Sequence, residues 1–249
     1  IKLIKLLNPE KTKHIGITGG EPTVIGDKLI DLIENCKKHC KKTSITLLTN
    51  GIKFKELEYT RKLSQINHHD LVICIPLYAD NDTEHDTIVG RKGSFYETVK
   101  GIQNLALFQQ KIEIRTVIHK LNYKRLLQLS EFIYHNFPFA IHIALMGIET
   151  IGLAKKNIDM LWIDPVEYMS QLKSATNYLN RRAMNASIYN LPLCILPKEL
   201  WRFSKHSIST WKRVYFPACV ECDYCEQCGG LFATSGEIQS KFIRPLKSS

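Results

Sequence analysis

The chain has 249 residues, of which 44% are hydrophobic and 23% are charged, and its formal net charge is +10. This composition excludes a disordered protein and suits one α/β domain, alone or with a small second domain. The positive charge would suit an acidic partner, but four of the lysines lie within 37–42, where a solvated helix face accounts for them. No apolar run is long enough to cross a bilayer and no signal pattern is present, so we expect a cytoplasmic protein that binds neither membrane nor nucleic acid.

Strand and helix patterns alternate along the first 182 residues. The polar segment 78–91 is expected to be a loop, and Ser94 and Asp164 are the expected N-caps of two helices. The alternation predicts an α/β fold with a parallel sheet. β-rich runs predict strands at 15–17, 44–48, 70–77, 111–118 and 140–145, and apolar periodicity predicts helices at 26–40, 53–63, 94–108, 122–135 and 165–180.

The pattern changes after Arg182. A brief strand at 186–189 is followed by Pro192, Cys194 and Pro197, and the remainder is short, aromatic and rich in cysteine. We therefore place a domain boundary near residue 183, which gives an α/β domain at 1–182 and a small cysteine-rich domain at 183–249.

Four cysteines near the C-terminal end are spaced at every third residue: Cys219, Cys222, Cys225 and Cys228. Such a cluster without a secretory signal favours a metal site over disulfides. Four thiolates that approach one centre select either zinc or an iron–sulfur cluster. Zinc is the broad expectation for Cys-x-x-Cys pairs, but two pairs separated by only two residues leave little room for a zinc-ribbon hairpin.

Several loops that follow predicted strands carry residues suited to ligand binding. The first strand runs into G-G-E-P, where the glycines allow close approach to a ligand, Pro22 fixes φ, and the carboxylate of Glu21 could hold an amine. The second strand ends in T-N-G, which contains Asn50, and Arg115 lies in the fourth. Each has an ordinary structural explanation alone, but ligands of parallel α/β folds bind at the carboxyl ends of the strands, where these residues converge.

The order of these motifs resembles that of radical S-adenosylmethionine (SAM) enzymes, in which G-G-E-P after a β run is the second signature. At closer range the chain resembles, from Leu3 to Pro245, the radical SAM maturases of the His-Xaa-Ser peptide system. The motifs that carry this resemblance are G-I-T-G-G-E-P-T, C-I-P-L-Y-A-D, A-L-M-G-I-E, S-I-Y-N-L-P-L-C, S-I-S-T-W-K and C-x-x-C-x-x-x-x-x-C-G-G-L-F.

The resemblance implies a partial (βα) barrel of the radical SAM type, followed by a small auxiliary-cluster domain of the twitch or SPASM kind. It implies three cofactors: SAM, a [4Fe–4S] cluster at the SAM site, and an auxiliary [4Fe–4S] cluster. The SAM positions that it marks are Gly19, Gly20, Glu21 and Pro22 for the methionine amino group, with Asn50 and Arg115 at ribose and carboxylate positions. The auxiliary-cluster ligands that it marks are Cys194, Cys219, Cys222 and Cys228, with Cys225 as the alternative fourth ligand.

The chain departs from the family in one respect. Radical SAM enzymes carry Cys-x-x-x-Cys-x-x-Cys after the first strand, whereas here Cys36 and Cys40 follow G-G-E-P and Thr43 stands at the third position. We interpret these two as ordinary helix cysteines, and Cys74, flanked by isoleucines, as a core residue. We expect the first strand and the ligands of the SAM-site cluster to lie upstream of Ile1, so that this chain alone is inactive and binds SAM weakly or not at all.

By this resemblance, the intact enzyme cleaves SAM reductively, and a 5′-deoxyadenosyl radical abstracts hydrogen from a ribosomally made precursor peptide. The implied partners are that peptide, with His-Xaa-Ser repeats, an electron donor and a second radical SAM maturase of the same system. The alternative is a basic zinc-binding interaction module on a degenerate barrel, which binds peptide or nucleic acid without catalysis. A pseudogene product or half of a split gene is a third interpretation.

Overall fold

The structure, a computed structural model, describes residues 4, 7–8, 10–206, 213–235 and 238–248. Its main sheet has six parallel strands that follow one another in chain order. This order is that of repeated βαβ units, and it confirms the predicted α/β class with a parallel sheet. The strands are β1 His14–Ile17, β2 Ser44–Leu48, β3 Leu71–Pro76, β4 Lys111–Ile118, β5 His142–Gly147 and β6 Ala186–Tyr189.

Each of the five predicted helices is present, with ends that differ by a few residues from the predicted ones. The predicted helices at 122–135 and 165–180 each begin with a 3-10 turn, at Tyr123–Arg125 and Pro165–Tyr168. The α-helices are α1 Asp27–His39, α2 Leu57–Gln65, α3 Asp82–Val89, α4 Ser94–Leu107, α5 Leu126–Asn136, α6 Gly152–Lys156, α7 Ile158–Leu161 and α8 Met169–Arg181.

The prediction of a loop at 78–91 was wrong, because helix α3 lies within it. Asn81 caps this helix, since its Oδ1 accepts a hydrogen bond of 2.9 Å from the N–H of Glu84. The sequence therefore carries a helix-start signal, an Asn followed three residues later by a Glu. Only His85 is buried in α3, so the apolar periodicity that reveals the other helices is missing here.

The expected N-cap Asp164 is confirmed, because its side chain accepts a hydrogen bond from the N–H of Val166 at 3.1 Å. The expected cap Ser94 was wrong. Helix α4 begins at Ser94, and the carboxylate of Asp86 accepts the N–H groups of Gly93 at 2.5 Å and Phe95 at 2.8 Å. An acid eight residues upstream thus satisfies the amides that a local cap would otherwise serve.

The chain contacts divide the protein into two compact units. The first comprises Ile1–Leu77, His85–Ile114 and Phe139–Ile141, and the second comprises Tyr78–Glu84, Arg115–Pro138 and His142–Ser249. In the first unit, α1 and the strands contribute side chains that are completely buried, and full burial of one such side chain contributes about 1.5–3 kcal/mol. The core residues include Leu29 and Ile33 of α1, Ile45 and Leu47 of β2, and Ile73 and Ile75 of β3.

In the second unit, helices α5 and α8 pack against each other, and apolar residues of β5, β6 and α8 form the core. They include Ile143 and Leu145 of β5, Leu172 and Leu179 of α8, and Ile188 of β6. Residues 186–189, which were predicted to belong to the C-terminal domain, pair with β5 as the sixth strand of the main sheet. The division of the chain at residue 183 stays a prediction.

After β6 the second unit contains a two-stranded antiparallel sheet, in which β7 Arg213–Val214 pairs with β8 Leu231–Phe232. The predicted motif S-I-S-T-W-K, 207–212, lies outside the described residues. Among the residues that the structure does describe, no helix combines the length and the apolar composition needed to cross a bilayer.

Candidate functional site

The G-G-E-P loop connects β1 to a short 3-10 helix, Pro22–Ile25. Glu21 is the N-cap of this helix, because its Oε1 accepts the N–H of Thr23 at 3.0 Å and the hydroxyl of Thr23 at 2.7 Å. Pro22 occupies the first helical position, where its missing N–H leaves no hydrogen bond unmade. Glu21, Pro22 and Thr23 therefore form a capped turn that follows β1.

Glu21 also ties this loop to the end of the neighbouring strand β2. Its Oε1 accepts the hydroxyl of Thr49 at 2.6 Å, and its Oε2 accepts the N–H of Asn50 at 2.6 Å. The carboxylate thus accepts four hydrogen bonds from its own chain, which is about the number of its lone-pair sites. Glu21 acts in this arrangement as the anchor that holds two strand-end loops together.

Gly19 and Gly20 leave open space at the same strand end. A Cβ atom added to either glycine would meet no heavy atom within 4 Å, and both residues are exposed. Among the described residues, none makes a hydrogen bond to the peptide groups of these two glycines. The two glycines therefore offer unused backbone donors and acceptors, together with room for a polar ligand to approach them.

The T-N-G loop after β2 is held rigidly. The side-chain oxygen of Asn50 accepts the N–H of Ile52 at 2.9 Å, and the carbonyl of Asn50 accepts the hydroxyl of Thr98 at 3.2 Å. Gly51 has a φ of 80°, a conformation that favours glycine. A Cβ atom on Gly101 of α4 would lie 2.1 Å from the Gly51 carbonyl oxygen, so α4 packs directly against this loop.

A groove of about 450 Å³ adjoins the two loops within the first unit. Charged side chains at its edge form an ionic network around Glu97, which pairs with Lys55 and lies 2.5 Å from Arg91. The hydrogen bonds from Arg91 and Lys55 lower the pKa of Glu97. The lining thus suits a polar or charged ligand, and it includes Glu21, Thr23, Val24, Asn50, Ile52, Lys53, Lys55, Glu56 and Arg91.

Arg115 lies in β4, in the part of that strand that belongs to the second unit. Buried and partly exposed residues alternate along β4, and Arg115 is partly exposed, on the face opposite to buried Ile114 and Thr116. A cation on the less buried face of a parallel sheet is suited to a ligand carboxylate. Its assignment to the SAM carboxylate stays a prediction.

Sequence reasoning assigned no site role to His119, which the structure places directly after β4. The His119 side chain is buried, and its Nδ1 accepts the backbone N–H of Leu121 at 3.2 Å. The backbone N–H of His119 donates to the side-chain oxygen of Asn122. Burial lowers the pKa of His119 to about 4. The imidazole is therefore neutral near pH 7 and carries its proton on Nε2. The signal was the His-x-x-Asn turn at the strand end.

The five C-terminal cysteines all belong to the second unit. Cys194 lies in the turn after β6, and the other four lie between β7 and β8. The two segments meet, because the N–H of Leu193 donates to the Sγ of Cys228 at 3.3 Å, and Gly230 donates to the same sulfur at 3.4 Å. Trp201 holds the turn through hydrogen bonds to the carbonyls of Leu193 and Leu196.

The thiols of this region influence one another. Burial raises the pKa of Cys194, and the thiols of Cys219 and Cys222 raise it further. Burial likewise raises the pKa of Cys228, with added effects of Cys194 and Cys219. The assignment of Cys194, Cys219, Cys222 and Cys228 as ligands, with Cys225 as the alternative fourth ligand, stays a prediction.

This grouping is looser than a metal centre. Within the described part of the chain, no three histidine, cysteine or carboxylate side chains are arranged so that they could hold a metal ion. The donor chemistry nevertheless suits an iron–sulfur cluster, because cysteine thiols and peptide N–H groups directed at sulfur, as at Cys228, are the ligands and hydrogen-bond donors that such clusters use. The remaining cysteines behave as predicted: Cys36, Cys40 and Cys74 are buried in the first unit.

Solved structures with the same fold come from several enzymes. A domain of pyruvate-formate lyase-activating enzyme from Bacteroides vulgatus ATCC 8482 has a TM-score of 0.54 and 16% identity, over 71% of this chain and 98% of its own. Native anSMEcpe with bound AdoMet and Kp18Cys peptide has a TM-score of 0.58 and 15% identity, over 74% of this chain and 53% of its own. A radical SAM methyltransferase from Sphaerobacter thermophilus has a TM-score of 0.50 and 14% identity, over 71% of this chain and 50% of its own. The chain thus spans about half the length of the last two proteins, and these likenesses concern the fold.

The fold therefore places the chain in the class of α/β proteins to which radical SAM enzymes belong. The sequence profile of the Radical SAM superfamily matches residues 1–133, more than half of the chain, and the chain belongs to that superfamily. This confirms the family indicated by G-G-E-P. No curated protein is significantly similar to the sequence.

Proposed function

We propose that this chain is part of a radical SAM enzyme that modifies a ribosomally made peptide, and that it carries an auxiliary [4Fe–4S] cluster. The observation that carries the proposal is the hydrogen bond from the Leu193 N–H to the Sγ of Cys228, which brings the turn of Cys194 to the Cys-x-x-Cys loop. An auxiliary thiol site beside a radical SAM domain is the feature that the resemblance to the His-Xaa-Ser maturases implies. The solved anSMEcpe structure, with AdoMet and a peptide, offers a parallel from the same fold.

In this proposal the strand-end loops of the first unit bind SAM. The peptide groups of Gly19 and Gly20 contact the methionine amino group, because they have unused hydrogen-bonding capacity and open space. Glu21 holds the two loops in position and Asn50 binds the ribose, while the role of Arg115 at the SAM carboxylate is proposed from the resemblance alone. SAM and a reduced [4Fe–4S] cluster, when bound, would supply the chemistry for abstracting a hydrogen atom from the peptide, and the surrounding fold would shield that chemistry from water.

The auxiliary site would be held by Cys194, Cys219, Cys222 and Cys228, with Cys225 outside the ligand set. A [4Fe–4S] cluster held there would supply either an electron acceptor or an anchor for the peptide. The thiols must lose their protons to bind iron, and peptide N–H groups directed at sulfur stabilise the thiolate form.

Metal analysis after anaerobic purification tests the auxiliary site. We expect about four iron and four sulfide per chain with broad blue-violet absorption, whereas about one zinc without that absorption would support the interaction-module alternative. Cys219→Ser should lower the iron content and absorption strongly, and Cys225→Ser, the matched control, should leave both unchanged. Equal losses in the two variants would contradict the proposed ligand set.

The reaction itself is tested with the full-length enzyme, supplied with SAM, an anaerobic reductant and a peptide that contains His-Xaa-Ser repeats. We expect formation of 5′-deoxyadenosine to depend on the peptide, together with a change in the peptide mass. If 5′-deoxyadenosine forms at the same rate without peptide and the peptide mass is unchanged, the substrate class is wrong. The assignment to the superfamily would remain.

A further inference from the structure

The last described residues of the chain lie on the cysteine loop and are attached to it at several points. The N–H of Asp223 donates to the carbonyl of Leu246 at 2.9 Å, and Lys247 Nζ donates to the carbonyl of Glu221 at 2.6 Å. The N–H and hydroxyl of Ser248 both donate to Asp223 Oδ2, at 2.7 and 2.8 Å. This C-terminal segment, 244–248, is therefore held in a defined position.

Two peptide N–H groups of the C-terminal segment are directed at cysteine sulfurs. The N–H of Leu246 donates to the Sγ of Cys222 at 3.3 Å, and the N–H of Arg244 donates to the thiol of Cys194. These two sulfurs come from different parts of the chain, since Cys194 precedes Cys222 by a whole strand and a loop. One short segment thus contacts both halves of the thiol group.

The sequence Arg-Pro-Leu suits this double contact. In an extended chain, groups two residues apart point to the same side, so the N–H groups of residues 244 and 246 can face one surface together. The residue between them is Pro245, which has no N–H to leave unsatisfied and which favours an extended conformation at residue 244. Pro245 and Leu246 are half-buried against the loop, while the flanking Arg244 and Lys247 are exposed.

We propose that Arg244–Leu246 is a cap built for the auxiliary cluster, an inference that rests on the proposed function. Its two N–H groups donate to the sulfurs of Cys194 and Cys222, as Leu193 and Gly230 do to Cys228. An N–H dipole directed at a ligand sulfur stabilises the reduced, more negative cluster, so the cap raises its reduction potential. The apolar side chains of Pro245 and Leu246 shield the same side of the cluster from water.

A pair of substitutions at one position separates the two effects. Leu246→Pro removes the N–H donor and keeps an apolar side chain, whereas Leu246→Ala keeps the donor and removes most of the shielding. In the anaerobically reconstituted protein, followed by potentiometric titration with electron paramagnetic resonance, we expect a more negative midpoint for Leu246→Pro than for Leu246→Ala. We expect Leu246→Ala to lose its visible absorption to a chelator several-fold faster than the wild type.

A second pair covers the case in which Leu246→Pro disturbs the backbone and takes up no iron. Asp223→Ala removes the acceptor that holds Ser248, and Glu226→Ala changes an exposed acid of the same loop. We expect faster chelator extraction of iron from Asp223→Ala and a wild-type rate for Glu226→Ala. Equal midpoints for the two Leu246 variants, or equal extraction rates for this second pair, would overturn the cap while leaving the cluster itself intact. A wild-type chain that takes up no iron would instead refute the auxiliary cluster, and the cap with it.

Discussion

Replacing Glu21 with glutamine tests whether the acid of G-G-E-P is a structural anchor. Three donors, from Thr23 and Thr49, meet Oε1, and the Asn50 N–H meets Oε2 at 2.6 Å. An amide has one acceptor oxygen, so in its better orientation its NH₂ group faces the Asn50 N–H. One hydrogen bond to a charged group is then lost and two donors oppose each other. We expect Glu21→Gln to lower the free energy of unfolding by about 2 kcal/mol, roughly 30-fold in the equilibrium constant.

The assay is urea unfolding, followed by circular dichroism, of the chain without SAM or iron. The matched control is Glu56→Gln, which removes an exposed ion pair with Lys53 and should cost less than about 1 kcal/mol. Identical unfolding curves for Glu21→Gln and the wild type would refute the anchor role.

Two further predictions concern packing and pH. Gly101→Ala places a Cβ 2.1 Å from the carbonyl oxygen of Gly51, and the resulting strain of about 3 kcal/mol outweighs the gain of about 1 kcal/mol in helix propensity. The variant should therefore unfold at a lower temperature than the wild type. Gly20→Ala, whose added Cβ meets open space, should leave the unfolding temperature unchanged. Burial lowers the pKa of His119 to about 4. Its contribution to stability is therefore complete above pH 6.5 and is lost as the pH falls towards 4. Between pH 7 and 5 this loss is about 2 kcal/mol, and it should be absent in His119→Asn, which keeps an acceptor for the Leu121 N–H. Parallel losses of stability in the two proteins over this range would contradict it.

The strands of the main sheet could be predicted because each lies in a run that is rich in β-forming residues. The predicted strands at 111–118 and 186–189 have the ends that the structure gives β4 and β6. Which strands pair with each other was harder to predict than where each strand lies in the sequence. The proline- and cysteine-rich sequence after Tyr189 suggested a new domain, yet the four residues of β6 pair with β5, because hydrogen bonding between strands depends on neighbours that a local pattern does not contain.

The candidate site shows the same limit at the level of single atoms. The sequence identifies Glu21 as a lone acid in a glycine loop, which suggests a free carboxylate. Its lone pairs are used by Thr49 and Asn50, which are 28 and 29 residues away, because parallel pairing of β1 with β2 brings the two strand ends together. A residue that a motif marks as ligand-binding can therefore act by holding the ligand-binding backbone.

The thiol region extends this reasoning to the C-terminal end. Spacing alone makes Cys225 the equal of its three neighbours, since all four recur at every third residue. Two of the four sulfurs accept hydrogen bonds from outside the repeat: Leu193 and Gly230 donate to Cys228, and Leu246 donates to Cys222. Peptide N–H groups can donate hydrogen bonds to these sulfurs only after the chain has folded and brought them together. If Cys225→Ser retained its iron while Cys194→Ser lost it, Cys194 would be the fourth ligand, a choice that the spacing of the four cysteines alone leaves open.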